Sequence, residues 1–356
     1  MNMLTVFSVA IAPYRIDFFN SIAQMGKSSF YFTQQGVDGS SFDDEKMRHD
    51  CRFEPKLLKS VAVLGRKLPL SVWRILRQER PSTVFAPEFS LVTLLVLLYK
   101  FFFFASFKVI SICDDSIDML NGNDFSRLHG YARKLMAPLC DELLLLDSKA
   151  TEWYQRQYGK GIWFPLIRDD EKYATLLADA EPAEQEIRIR YPEINNTKVV
   201  LFVGRLVALK NVAAIIKALP KDAFLVIVGD GEERKSLESL VVTMGKNVLF
   251  VGWKNGGELL AWYRIAHVLV LASFREPFGA VVNEALLAGC RVCVSDRAGS
   301  ACLVSPDNGC VFNPEDENEL SLKLKQEIEN QPLRKIVKSL MPVSYADFVK
   351  TLQGRL

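Results

Sequence analysis

Histidine is almost missing from this chain, with three among 356 residues. That leaves little material for chemistry needing several positioned imidazole acids and bases. An excess of one charge is missing too. The 44 Lys and Arg face 42 Asp and Glu, a net +2, and so even a balance does not point to nucleic acid as a partner. The seven Cys (51, 113, 140, 290, 293, 302, 310) are scattered and odd in number. The first residues, MNMLTVFSVAIAPYR, lack a basic leader and a small-residue cleavage site and read as a core strand. Both features point to a reducing, cytoplasmic home. Cys290 and Cys293 form a C-x-x-C, but no second Cys or His pair has zinc spacing. Arg291 and Val292 between them read as strand, so buried structural thiols are expected. The most apolar stretch, Ser90 to Cys113, is broken by Lys100 and Lys108. A membrane-crossing helix needs about 20 uninterrupted apolar residues, so this stretch reads as a buried helix and a following strand, with interfacial membrane contact as the alternative.

What is present is globular: 49% hydrophobic and 24% charged residues. The length suits two domains, each with its own core. Short apolar runs alternate with helical-period segments. Leu4–Ala10 reads as a strand, and Ile16, Phe19, Ile22 and Ala23 share one helix face. Ser29–Thr33, Val84–Phe85, Val109–Cys113 and Glu142–Leu146 read as further strands. Residues 165–196 turn charged and read as a connector with a surface helix. A fresh set of strands follows from Lys198, Phe224, Val248, His267, Arg291 and Cys310, each apolar throughout and ending in Gly, Ser or Asp. Strands of that kind are buried on both faces of a parallel sheet. The expected division is 1–165, 166–341, and a closing helix at 342–356 that packs back on the first domain.

Four features of the second half carry chemistry. Gly204, Arg205 and Lys210 lie at a strand end, a loop and a helix start, where Arg and Lys together suit a diphosphate. Val228-Gly-Asp-Gly is followed by Glu232 and Glu233, which suit a helix dipole but repel phosphate; it reads as structural. Glu276 precedes Phe278-Gly279-Ala280-Val281, where Gly permits close backbone approach and a helix opens with free N–H groups. Glu284 follows inside that helix, placed to reach a ribose. Trp253 and Lys254 after Phe250-Val-Gly could pack on a nucleobase.

These motifs together resemble glycosyltransferase family 4, the retaining family of the GT-B fold. The resemblance runs over residues 198–313 and ends on Asn308-GCVFNPED. It implies α/β architecture with two Rossmann-like, doubly wound parallel-sheet domains facing across a cleft. It implies a nucleotide-diphosphate sugar donor, UDP- or GDP-linked, with no metal and no further cofactor. In the resemblance Arg205 and Lys210 hold the diphosphate and stabilise the leaving group, Glu276 contacts the sugar, Glu284 the ribose, and the backbone of Phe278–Val281 the phosphates. The family often has Ala-Asp where this chain has Ala266-His267; His267 reads as a structural strand-start residue. Its Gly-rich first loop is replaced by Ala12-Pro13-Tyr14-Arg15, similar to polysaccharide-assembly members. Arg15 is a candidate phosphate contact or a surface residue.

The acceptor is expected on the first domain, a glycan or lipid-linked glycan, near Tyr14, Asp114, Asp115, Ser116 or His129, each of which also suits a cap or surface role. Ten Lys and Arg against four acids from Glu45 to Arg80, interleaved with apolar residues, read as an anionic-membrane dock or a solvated face. The functional expectation is a retaining glycosyltransferase of surface-polysaccharide assembly, cytoplasmic and peripheral to the membrane. The alternatives are a GT-B nucleotide-sugar epimerase and a non-catalytic nucleotide-sugar binder.

Overall fold

The computed structural model describes residues 3–34, 48, 50–59, 61–63, 66–69, 71–122, 126–329, 331–333 and 335–355. The chain divides into two compact units, Met1–Ile167 with Phe348–Leu356, and Arg168–Asp347.

The first unit contains β1 (Met3–Ser8), α1 (Ile16–Gln24), β2 (Lys27–Phe32), β3 (Pro55–Leu57), the small antiparallel pair β4 (Val61–Val63) and β5 (Arg66–Leu68), α2 (Ser71–Glu79), β6 (Thr83–Pro87), α3 (Leu91–Phe102), β7 (Lys108–Cys113), α4 (Ile117–Gly122), α5 (Arg127–Met136), β8 (Glu142–Leu145), α6 (Ser148–Tyr158) and β9 (Ile162–Trp163). Seven strands pair in parallel in the order β3-β2-β1-β6-β7-β8-β9. The order reverses between β1 and β6, so the loops leaving these two strands diverge and open a crevice at their carboxyl ends. Phe7, Val84, Val109 and Leu143 from adjacent strands fill one face of the core.

The second unit contains α7 (Asp170–Asp179), α8 (Glu181–Arg190), β10 (Lys198–Val203), α9 (Val212–Ala218), β11 (Ala223–Val228), α10 (Arg234–Met244), β12 (Val248–Gly252), α11 (Gly256–Ile265), β13 (Val268–Leu271), α12 (Ala280–Leu287), β14 (Arg291–Ser295), β15 (Gly309–Phe312) and α13 (Glu317–Glu329). Its six strands are parallel in the order β12-β11-β10-β13-β14-β15. The reversal here lies between β10 and β13. The four central strands β11, β10, β13 and β14 are buried on both faces, which is why their sequences are apolar without alternation. The last helix, α14 (Tyr345–Arg355), carries Phe348, whose ring stands 5.4 Å from Trp163 in the first unit's β9.

Three expectations need amendment. Residues 168–196, expected within the second domain, are not a connector with a surface helix but include two packed helices of the second unit: α7 and α8 pack on α11 through buried Tyr173, Leu177 and Ile187, and Arg264 binds Glu184 at 2.7 Å. Sparse apolar residues hidden among charges concealed that face. In the 46–80 region, Lys46 and the side chains of Arg66 and Lys67 lie outside the described residues. Elsewhere in it Phe53 stacks on Phe30 at 3.9 Å and Leu58 is buried, so these two serve the core, whereas Leu57 is exposed; the side chains of Val61, Val63 and Leu68, with Leu64 and Leu70, also lie outside the described residues. The stretch from Ser90 does form a helix and a strand, but only Val92, Thr93, Val96 and Leu97 of α3 are buried, and its end is exposed. Among the described residues no helix is long and apolar enough to cross a membrane.

Candidate active site

In the second unit the chemistry-bearing loops leave the two strands that flank the reversal. After β10 the chain passes Gly204 and exposed Arg205, then makes a 3-10 turn, Ala208–Lys210. The Phe274 N–H bonds the Leu209 carbonyl at 3.0 Å, tying this turn to the loop that follows β13. That tie sets the Lys210 ammonium directly on the Glu276 carboxylate. Both side chains are largely enclosed, so the pair is poorly screened by solvent. Arg205 forms no ion pair with another described residue. Gly229 lies so close behind that a Cβ there would collide with the Gly204 carbonyl. The Val228–Gly231 turn therefore braces the Arg205 loop.

The segment holding Glu276 is latched from β14's side. Glu276 N–H donates to the Arg297 carbonyl at 3.2 Å, Gly299 N–H to the Glu276 carbonyl at 3.1 Å, and Ser300 N–H to the Phe278 carbonyl at 2.7 Å. Gly279 then opens α12 in the left-handed region, at φ 89°. The first N–H groups of this helix, from Ala280 and Val281, have no preceding turn to bond and carry the positive end of the helix dipole. Ser300 is buried, and its Oγ, lacking a hydrogen-bond partner, would lie 3.0 Å from a Cβ at Gly279. Inside α12, Glu284 accepts from Arg168 Nη1 and Tyr263 Oη, both at 3.0 Å. Burial and the adjacent Glu284 charge hold the Tyr263 phenol protonated. Asn283 next door accepts from the Arg168 N–H at 2.9 Å. Trp253 is half exposed after β12, and Lys254 pairs with Glu258 at 2.6 Å.

The first unit gathers its own group at the reversal of its sheet. Arg15, beyond β1, contacts Asp114, beyond β7. Burial works against the Arg15 charge, but the Asp114 carboxylate and Tyr14 hydroxyl outweigh it and hold its pKa above the usual value. Asp115 is fully buried; it accepts from Tyr154 Oη and lies 3.5 Å from Arg133 Nη1. His129 Nε2 stands 3.5 Å from Glu88 Oε1 and 3.6 Å from Asp115 Oδ1. Glu88 follows β6. Burial, the hydrogen bond to Asp115 and the charges of Asp115 and Asp114 all raise its carboxyl well above the ordinary range, so a shared proton between the two acids is favoured. Ser116 serves as a cap, with Oγ 3.4 Å from the Met119 N–H.

Sequence reasoning missed Glu88, Arg133, Tyr154, Arg168 and Ser300. An acid directly after an apolar strand, as in Phe85-Ala-Pro-Glu88, is the signal that would have found the first; the others have none. Among the described residues Glu88, Asp115 and His129 are the group whose ligand atoms come within 4.8 Å of one another, near enough to hold a metal. Arg133 and Arg15 oppose a cation there. His267 is structural in its contacts: Nδ1 accepts from the Val199 N–H and Nε2 bonds the Leu333 carbonyl, both at 3.0 Å. Cys290 and Cys293 are buried thiols; Cys290 meets the Tyr263 carbonyl and Cys293 meets Cys310.

Residues 183–339 match the family described as Glycosyl transferases group 1. A glycosyltransferase of Methanocaldococcus jannaschii is 33% identical over 170 residues, 43% of this chain and 44% of that one. A Campylobacter jejuni N-acetylgalactosaminyltransferase, named for an undecaprenol-diphosphate-linked glycan, is 29% identical over 58% of this chain and 55% of its own. The chain thus spans about half the length of these relatives. Among solved structures, Anabaena HepE in complex with UDP superposes with TM-score 0.72 at 17% identity, over 100% of this chain and 95% of that one. WaaG, a glycosyltransferase of lipopolysaccharide biosynthesis, does so with TM-score 0.60 at 18% identity, over 99% and 95%. The fold is accordingly GT-B, two parallel-sheet α/β domains.

Proposed function

We propose, from the match of residues 183–339 to the glycosyl transferases group 1 family, that this chain is a retaining glycosyltransferase moving a sugar from a nucleotide diphosphate to a glycan or lipid-linked acceptor in surface-polysaccharide assembly. The observation that carries the reading is the enclosed Lys210–Glu276 pair beside the N–H groups that open α12. A departing diphosphate needs fixed positive charge where its own charge develops. Lys210, Arg205 and the Ala280 and Val281 N–H groups supply it without a metal. A diphosphate that draws the Lys210 charge frees Glu276 for the sugar hydroxyls. Glu284, held by Arg168 and Tyr263, offers its remaining lone pairs to a ribose. Trp253 and Lys254 border a base of the uridine or guanosine type. Tyr14, Asp114 and His129 serve the acceptor, with buried Asp115 and half-buried Glu88 beside them. The protein works on the cytoplasmic face of a membrane whose anionic surface attracts the basic residues of 46–80.

Lys210→Ala and Glu276→Ala are each expected to lower kcat/KM by about 10²–10³-fold with unchanged circular dichroism. Transfer should persist in excess EDTA. Full activity in either variant would remove the site assignment, and a strict need for divalent metal would redirect it to Glu88, Asp115 and His129. Incubation with donor alone separates the epimerase alternative, which yields a new sugar without acceptor.

A further inference from the structure

The first unit exposes an apolar face that its core does not use. Four Phe, residues 101–104, end α3 in a row, and all four are exposed, Phe104 at 93%. The row is held out by a specific backbone device. Phe104 adopts φ 49°, the left-handed region in which a bulky L-residue is unfavourable. Ala105 N–H bonds the Lys100 carbonyl at 3.0 Å, and Phe104 N–H the Phe101 carbonyl at 3.4 Å. This is a Schellman cap, in which the left-handed position is normally glycine. The chain places its most exposed Phe there instead.

The face continues along α5. Leu128, Tyr131 and Leu135, with Leu139 just beyond, lie on one helical stripe, and all are exposed. Residues 127–136 contain Arg127, Arg133 and Lys134 and no acid. The two parts meet where Lys100, before the Phe row, binds Asp141, two residues after Leu139, at 2.6 Å. On the other side Trp73 of α2 stands 5.6 Å from Phe103, and α2 exposes Arg74 and Arg77. At its far end the stripe begins at Leu128, next to His129 and its group with Glu88 and Asp115.

We propose that this face, formed by the end of α3, the outer stripe of α5 and the basic side of α2, seats the protein in the interface of an anionic lipid bilayer. Apolar rings enter at the level of the acyl boundary while Arg74, Arg77, Arg127 and Lys134 meet lipid phosphates, the pattern of an interfacial helix. A patch of aromatic and Leu side chains rimmed mainly by cations, with Asp141 at its seam neutralised by Lys100, matches a negative surface better than a neutral one. The face thus runs from the bilayer to the residues assigned to the acceptor. It relocates the apolar part of the membrane contact from 46–80 to 101–139, and its purpose rests on the reading of a lipid-linked acceptor.

The test is co-sedimentation of the full chain with vesicles of phosphatidylcholine alone or with one-third phosphatidylglycerol. Binding is expected to the anionic vesicles and to weaken with salt. Leu128→Ser with Leu135→Ser should lower partitioning about tenfold or more, and Arg127→Glu with Lys134→Glu by more than about fivefold per charge. Ile189→Ser with Val242→Ser, equally exposed residues of the second unit, should change nothing. Phe104→Gly is the decisive variant. It relieves the left-handed residue, so the thermal midpoint should rise by about 2–4 °C while vesicle binding falls. A more stable variant that binds less cannot be explained by unfolding. Absence of binding to anionic vesicles, or equal loss in the second-unit control, overturns the proposal. So does a concentration-dependent dimer that the Leu128/Leu135 variant abolishes, which would make a second copy the occupant. Thermal shift with UDP and GDP, run in parallel, separates this outcome from failure of the transferase reading.

Discussion

Gly279 shows how one residue ties conformation to chemistry. Its φ of 89° is strained for any side chain, and a Cβ would lie 2.6 Å from Leu271 Cδ2 and 3.2 Å from Glu276 Cγ. Gly279→Ala is therefore expected to cost about 2–3 kcal/mol of stability and to displace Glu276, lowering kcat before KM; an alanine variant with wild-type urea midpoint and rate would remove Gly279 from the site. His267 offers a second test. Burial, with Lys335, Lys198 and Arg188 nearby, lowers its pKa from 6.5 to about 4 against the opposing Leu333 bond. Between these values the unfolded chain takes up a proton that the native chain refuses. The contribution is thus complete above the unfolded pKa and is lost as pH falls toward 4. The loss is about 3 kcal/mol at most. Urea unfolding over that range should be steeper for wild type than for His267→Gln, which starts lower because the Val199 N–H loses its acceptor. Parallel curves would assign the acid loss to other groups.

Elements differed in how far their sequences disclosed them. The strands of the second unit were legible because burial on both faces leaves an uninterrupted apolar run ending in a turn residue, as in Val199–Gly204 and Leu225–Gly229. The helix α12 was legible from Gly279 and the acids around it. The helices α7 and α8 were not, because Tyr173, Leu177 and Ile187 supply too thin a stripe among charged neighbours. In α3 the apolar run located the helix but not which apolar side chains face outward. Phe101 and Phe107 read alike in the sequence, yet one is exposed and the other buried, since only neighbouring elements decide which side is covered.

At the scale of the whole chain, the C-terminal segment closes a loop in sequence that spans the entire second unit. Phe348 and Leu352 are buried, and Phe348 packs on Trp163 and Phe164 within the first unit. Ending the chain after Asp347 should remove about 4–6 kcal/mol of apolar burial from the first unit while the second keeps its own core. Two calorimetric transitions are expected, of which only one moves; a single unshifted transition would show that the segment contributes nothing.

By itself the sequence determined the α/β class, the two cores and the order of motifs through which Lys210, Glu276, Gly279 and Glu284 were found, because strand burial, helix period and glycine tolerance are local constraints on a short stretch of chain. Only the tertiary structure decided the partners. The pairing of Lys210 with Glu276, of Glu284 with Arg168, and the gathering of Glu88, Asp115 and His129 join residues separated by as many as 116 positions. Which strand reverses the sheet order brings such residues together, and no local pattern encodes that choice.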